Sequence, residues 1–171
     1  MLKKYLLVQL VWLSVTLTAC GWQLRDAQLI PENLGSLHLS SEDSHSPLVA
    51  ELSRALDAYG VEMVSTAAQA EHSILIVDFK QSRRISSLNS SARAAEYQLN
   101  EDVDFLIVDR TGTQLTPLLT ASVERTYEFD EQDVLASANE EQLVKDSMRV
   151  EIVRQILNHL SLVPVNHKEI R

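Results

Sequence analysis

Apolar and polar residues alternate along this chain with two different periods, and the switches between them divide it into elements. Ser36-Leu37-His38-Leu39-Ser40 alternates one for one, the signature of a half-buried strand. Ser46 then offers a side-chain oxygen for capping, with Pro47 at the first helical position. Leu48, Leu52, Leu56 and Tyr59 line one helical face, and Gly60 closes it. Residues 73–81 begin apolar on both faces, as a central strand does, and a polar loop is expected over residues 82–95. Tyr97, Leu99, Val103, Phe105 and Ile107 point one way against Gln98, Asn100, Asp102 and Asp104. After the turn Asp109-Arg110-Thr111-Gly112-Thr113, Ala121, Val123, Tyr127 and Phe129 oppose Thr120, Ser122, Glu124, Thr126 and Glu128.

The two alternating strands share an apolar face that must be covered. From about residue 139, Leu143, Val144, Met148, Ile152, Ile156 and Leu160 recur at helical spacing with Leu157 on the flank, and Pro164 ends the run. The order strand, helix, three antiparallel strands, helix predicts an α+β fold. It is a two-layer sandwich with two helices packed on one face of a mostly antiparallel four-stranded mixed sheet, the other face left polar. Leu52, Leu56, Val103, Phe105, Val123, Ile152 and Ile156 are expected in one core. The domain spans residues 35–163, followed by a tail over 164–171.

The first residues follow neither period. Met1-Leu2-Lys3-Lys4 precedes a run from Tyr5 to Leu17 broken only by Gln9, Ser14 and Thr16, the pattern of an export signal. A membrane span needs roughly 20 apolar residues, and this run is shorter. It ends in Leu17-Thr18-Ala19-Cys20-Gly21, which resembles the bacterial lipobox. Residues 1–19 are therefore expected to be cleaved, Cys20 to carry a thioether-linked lipid, and residues 20–34 to form a tether. Cys20 is the single cysteine, so no disulfide forms within the chain, and lipid consumes the thiol. Gly21 in place of Asp resembles the sorting pattern for the outer membrane, with the protein anchored on its periplasmic side.

Charge narrows the function. The chain of 171 residues carries −9, and loss of Lys3 and Lys4 with the signal leaves −11, a balance that argues against a nucleic-acid partner. One stretch runs the other way: Lys80, Arg83, Arg84 and Arg93 lie within residues 80–95 without an acid among them. Such a segment is a candidate contact for phosphates or carboxylates, or alternatively a solvated hairpin tip. By the period-two count Arg125 and Glu101 fall on the apolar side of neighbouring strands, roughly opposite or diagonal, where a structural ion pair at the sheet margin is expected, with a ligand site as the alternative. The histidines at 38, 45, 72, 159 and 167 are scattered. No nucleophile–base signature, phosphate loop or metal-ligand spacing is present, so no enzyme activity, no metal and no cofactor beyond the lipid on Cys20 are expected.

Several short stretches carry a family resemblance. Ala19-Cys20-Gly21-Trp22-Gln23-Leu24-Arg25 resembles the mature start of the LptE family of lipopolysaccharide-assembly lipoproteins. Gly60-Val61-Glu62, Ala95-Glu96-Tyr97-Gln98-Leu99, Arg125 with Tyr127, Val134-Leu135-Ala136 and Asn139-Glu140-Glu141 are similar in order and spacing, over nearly the whole chain. The resemblance implies two helices on a four-stranded sheet, seated as a plug in the LptD outer-membrane β-barrel, assisting its assembly and taking part in lipopolysaccharide delivery to the outer leaflet. Lipopolysaccharide and outer-membrane lipid are the other implied partners. Where the family carries basic residues associated with lipopolysaccharide contact, this chain has Ser90 and Ser137, and Arg83, Arg84 and Arg93 stand nearest the first of these. A free lipid carrier and an envelope-remodelling enzyme or accessory are the alternative readings.

Overall fold

The computed structural model describes residues 34–163. Cys20, the signal over 1–19, nearly all of the tether over 20–34 and the tail over 164–171 lie outside the described residues. Strand β1 (Leu37–Ser40) leads to helix α1 (Pro47–Ala58), whose first turn is capped by Ser46 Oγ accepting the Val49 N–H at 3.3 Å. Leu48, Leu52 and Leu56 are its buried face. The chain reverses through Gly60, at φ +74°, a left-handed conformation that favours glycine. It then runs along the outside of β1, where the Leu37 N–H donates to the Glu62 carbonyl and the Val64 N–H to that of Leu37.

Strands β2 (His72–Leu88), β3 (Ala94–Asp109) and β4 (Leu119–Glu128) follow, and helix α2 (Val134–Leu160) closes the fold. The sheet order is β1-β2-β3-β4, with β1 parallel to β2 and the other pairs antiparallel. Both helices pack on the face carrying Leu37, Ile74, Leu99, Val103, Phe105, Ile107, Ala121 and Val123, so the two-layer sandwich read from the sequence is the observed architecture. All seven expected core residues are buried in this one cluster. The opposite face is a polar lattice. Asp104 accepts from Thr120 Oγ1 at 2.6 Å and from Lys80 Nζ at 3.3 Å, while Asp102 accepts from Ser122 and Asn100.

Two element boundaries differ from the sequence reading. Residues 82–95 are not a loop: β2 continues to Leu88, β3 begins at Ala94, and only residues 89–93 turn. Asn89 organises that turn, its side-chain oxygen accepting the N–H groups of Ser91 and Arg93. The hairpin reaches past the helical layer, so neither face is required to be apolar and the alternation that marks strands disappears. The second helix begins at Val134, capped by Asp133 accepting the Ala136 N–H at 3.0 Å, rather than near residue 139. Its early turns carry exposed apolar residues, and Leu143, read from the sequence as part of the apolar stripe, is 70% exposed. Val144 packs toward the core in its place.

Candidate functional site

The basic stretch does not form a single patch, because strand pairing sends its members to different sides. Arg83 faces the helical layer. Its guanidinium lies 3.6 Å from the Tyr97 ring centroid, and its Nε is 3.6 Å from Glu141 on α2. Tyr97 stacks on Tyr127 and meets Phe129 edge-on, so alternate positions of β3 and β4 and the residue just after β4 build an aromatic floor under the arginine. Glu141 also accepts from the Tyr127 hydroxyl at 2.5 Å and pairs with Lys145 at 2.6 Å. Burial pushes the Glu141 carboxyl up, but Lys145, Tyr127 and Arg83 together outweigh it and hold the group below the usual carboxylate range. Burial and the adjacent Glu141 carboxylate push the Tyr127 hydroxyl well above the usual phenol range.

Lys80 and Arg84 project from the polar face. Lys80 sits 2.9 Å from Asp78 and 3.3 Å from Asp104, and hydrogen bonds to both raise its pKa. Arg84 donates to Gln98 Oε1 at 2.6 Å and lies 3.4 Å from Glu124. Arg93, at the hairpin turn, pairs with Glu131 at 2.6 Å and ties the turn to the segment leading into α2. Each of these four cations therefore has at least one carboxylate partner. The partners Glu124, Glu131 and Glu141 come from β4, from the segment after it and from α2, tens of residues away in sequence, which is why counting charge within residues 80–95 missed them.

Where the hairpin meets the start of α2, a cleft of about 470 Å³ is lined by Glu96, Glu128, Asp130, Asp133 and Glu140, together with Ser137 and Phe129. No basic side chain lines it. Ser137, one of the two serines that the resemblance sets at basic positions of the family, is buried with its Oγ accepting the Asp130 N–H at 2.9 Å. The other, Ser90, lies in the exposed hairpin turn.

The expected pair of Arg125 and Glu101 does not form. The register sets Arg125 opposite Leu99 and Glu101 opposite Val123, so the two are diagonal. Arg125 is exposed and donates to the Glu124 carbonyl at 3.0 Å. Glu101 is 3% exposed and accepts from Gln81 Nε2 at 2.7 Å. Burial raises its pKa, while the Gln81 hydrogen bond and the charges of Arg149 and Lys145 on α2 oppose that rise. A carboxyl with a raised folded pKa contributes most to stability below its unfolded pKa and loses that contribution as pH climbs through the folded value. Among the described residues no group of three or more His, Cys, Asp or Glu side chains could hold a metal ion, and no helix is long and apolar enough to cross a membrane.

This two-layer α+β domain, with one polar sheet face and charged, open clefts, resembles a solved bacterial lipoprotein. The solution structure of lipoprotein B from Nitrosomonas europaea matches it with a TM-score of 0.69 and 26% identity, covering 82% of this chain and 90% of that one. The sequence model of the LptE family, described as lipopolysaccharide-assembly, matches residues 34–160, and the chain belongs to that family. It is 24% identical over 163 residues to the LPS-assembly lipoprotein LptE of Photorhabdus laumondii, covering 95% of this chain and 88% of the relative. To the protein of the same name from Pectobacterium atrosepticum it is 27% identical over 150 residues, covering 86% and 80%. The chain is thus a component of the lipopolysaccharide-transport machinery of the envelope, a non-enzymatic role in this family.

Proposed function

We propose that this chain is anchored to the outer membrane through lipid on Cys20 and acts as the plug and assembly factor of an LptD-type β-barrel. Family membership over residues 34–160 carries the reading. The polar sheet face supports it, because a layer of Asp102, Asp104, Thr120 and Ser122 suits the wet lumen of a large outer-membrane barrel and would be costly against lipid. Co-purification of a large barrel protein with the full chain from solubilised membranes tests it. The cleft at the hairpin, with its five carboxylates, does not favour the free-carrier reading, which requires an enclosed apolar cavity.

Arg83, Arg84 and Arg93 are our candidates for lipopolysaccharide or partner contact. The ion pairs of Arg84 and Arg93 are largely exposed, and pairs of that kind hold about 0–1 kcal/mol each, so a phosphate can displace the carboxylate at little cost. Arg83, stacked on Tyr97 beside the more buried Glu141, is held more firmly. Arginine also grips phosphate in bidentate fashion. Replacing all three with alanine should weaken binding of purified lipopolysaccharide in a salt-sensitive way. The Arg84 and Arg93 changes should alter stability by no more than about 0.5 kcal/mol each, since both side chains are mostly exposed. Unchanged lipopolysaccharide binding with lost barrel co-purification would reassign the three to the barrel wall.

A further inference from the structure

The fold covers its sheet edges unequally. On β4, Gln155 of α2 acts as a one-residue strand: its side-chain oxygen accepts the Ser122 N–H and its Nε2 donates to the Ser122 carbonyl, both at 3.1 Å. Arg125 occupies the next outward carbonyl, that of Glu124. On β1, the chain at Glu62 and Val64 bonds Leu37 from outside. The remaining edge is open. β1 pairs with β2 only from His72 to Leu75, yet β2 continues for the thirteen residues 76–88. Among the described residues, no backbone group beyond β3 bonds to that stretch.

The direction of the unpaired groups follows from the register. The Ile107 N–H donates to Thr116 Oγ1 and its carbonyl accepts the Leu115 N–H, so the Ile107 backbone turns away from β2. Opposed pairs of an antiparallel ladder alternate between exchanging both bonds and exchanging none. Asp104, Asp102, Asn100 and Gln98 therefore bond β2, and the residues paired with their neighbours, Phe79, Gln81, Arg83 and Ile85, present N–H and C=O groups to the open side. The stretch of seven residues from Phe79 to Ile85 spans about 23 Å at the usual rise of a strand.

We propose that this open edge of β2 docks an extended, carboxylate-bearing segment of the protein's barrel partner, which adds to the sheet as a fifth strand in the lane β1 leaves after Ser40. The inference rests on the plug reading above and deepens it. Two observations select the occupant. Lys80, Arg84 and Arg93 keep 63%, 68% and 65% of their side chains exposed beside carboxylates that hold them only weakly, and Asp78 is the one acid in residues 76–88, so an acidic strand complements this edge. A second copy of this chain does not: antiparallel self-pairing centred on Ser82 sets Lys80 against Arg84, like charges directly opposite. Phe79 and Ile85, 37% and 52% exposed, add apolar contact on alternate positions of the side facing the helices. Nature usually shortens, twists or covers a free edge, and here β1 and the middle of β4 have outside partners while the longest edge is left with its hydrogen-bonding groups unmet.

The test uses the full lipidated chain in its native membrane. A photo-crosslinking amino acid is placed at Gln81 or Ile85 on the edge and, for comparison, at Leu143 on the exposed face of α2. Crosslinks from both edge positions to an acidic, extended stretch of the barrel are expected, together with weaker or no crosslinking from Leu143. In parallel, Arg83→Pro removes an outward N–H and should lower the amount of barrel recovered by roughly tenfold, with the edge-charge reversal Arg84→Glu also lowering it. If Arg83→Pro does not fold, the crosslinks and Arg84→Glu decide. A barrel that co-purifies but crosslinks only from Leu143 overturns the proposal while leaving the plug reading standing. Crosslinks between two copies of this chain overturn the choice of occupant. Absence of any barrel from the wild-type preparation overturns the plug reading and this proposal with it.

Discussion

Truncating Phe105 to alanine should lower the stability of the domain by about 3–5 kcal/mol. The ring is fully buried in the core that sheet and helices share, with Val103 and Ile107 on the same face of its own strand, Ile76 opposite it on β2 and Leu119 opposite it on β4. His159 of α2 lies against it with ring centroids 5.8 Å apart. A cavity of that size between a rigid sheet and a long helix collapses only in part, so the lost transfer free energy and the cavity both count. Domains of this size are stable by about 5–15 kcal/mol in total, and the change should lower the melting temperature by roughly 10–20 °C. Val77→Ala, at a residue more than half exposed on the sheet edge, provides the comparison and should shift stability by about 0.5 kcal/mol or less. Equal melting temperatures for the two variants would mean that the core is not organised around Phe105.

Replacing Cys20 with serine should have the largest effect on location. Transfer of lipid requires the thiol, so the variant should accumulate as an unacylated precursor that keeps residues 1–19 and leaves the outer-membrane fraction. Acyl chains contribute about 0.8 kcal/mol for each buried CH₂. One chain gives marginal, reversible binding, whereas two or three hold a protein on the membrane through washing. Mass spectrometry of the wild type should show a lipid-modified N-terminal cysteine. A mature protein that begins elsewhere, or a serine variant that still fractionates with the outer membrane, would contradict the anchoring scheme.

What could be read in the sequence was whatever the core dictates. Leu48, Leu52 and Leu56 between Ser46 and Gly60 mark α1 because a helix against a sheet must repeat its apolar face. β3 and β4 were legible because one face of each is buried and the other is polar along most of its length. The second half of β2 was not. Ser82, Arg83, Arg84, Ser86 and Ser87 satisfy no apolar face, and only backbone pairing with β3 makes the stretch a strand. The start of α2 was hidden for a related reason, since Val134 and Leu135 face outward and the core period begins ten residues later.

The site was harder to read than the fold. A period-two count gives the face of a residue but not its register. The connection between β3 and β4 runs over residues 110–118, longer than the turn at 109–113 from which the count began. Arg125 and Glu101 do stand diagonally, one of the two placements expected, but Arg125 donates to the Glu124 carbonyl instead and the cations near Glu101 are supplied by α2. The arginines of β2 were legible as charge and illegible as geometry, because their carboxylates arrive only when β4 and α2 fold over the hairpin. Gln155, which closes the β4 edge, had no signal at all: a glutamine on a helix becomes a surrogate strand only through the packing that sets it beside Ser122.

A chain that works inside an envelope barrel stands in a fixed ratio to it, and that ratio can be weighed. The full chain, tagged at its C-terminus and expressed at its natural level, is captured from detergent-solubilised membranes and weighed intact by native mass spectrometry. A complex holding one copy of the chain and one copy of a large outer-membrane β-barrel is expected. A lone monomer, with or without bound lipid, would contradict the plug reading.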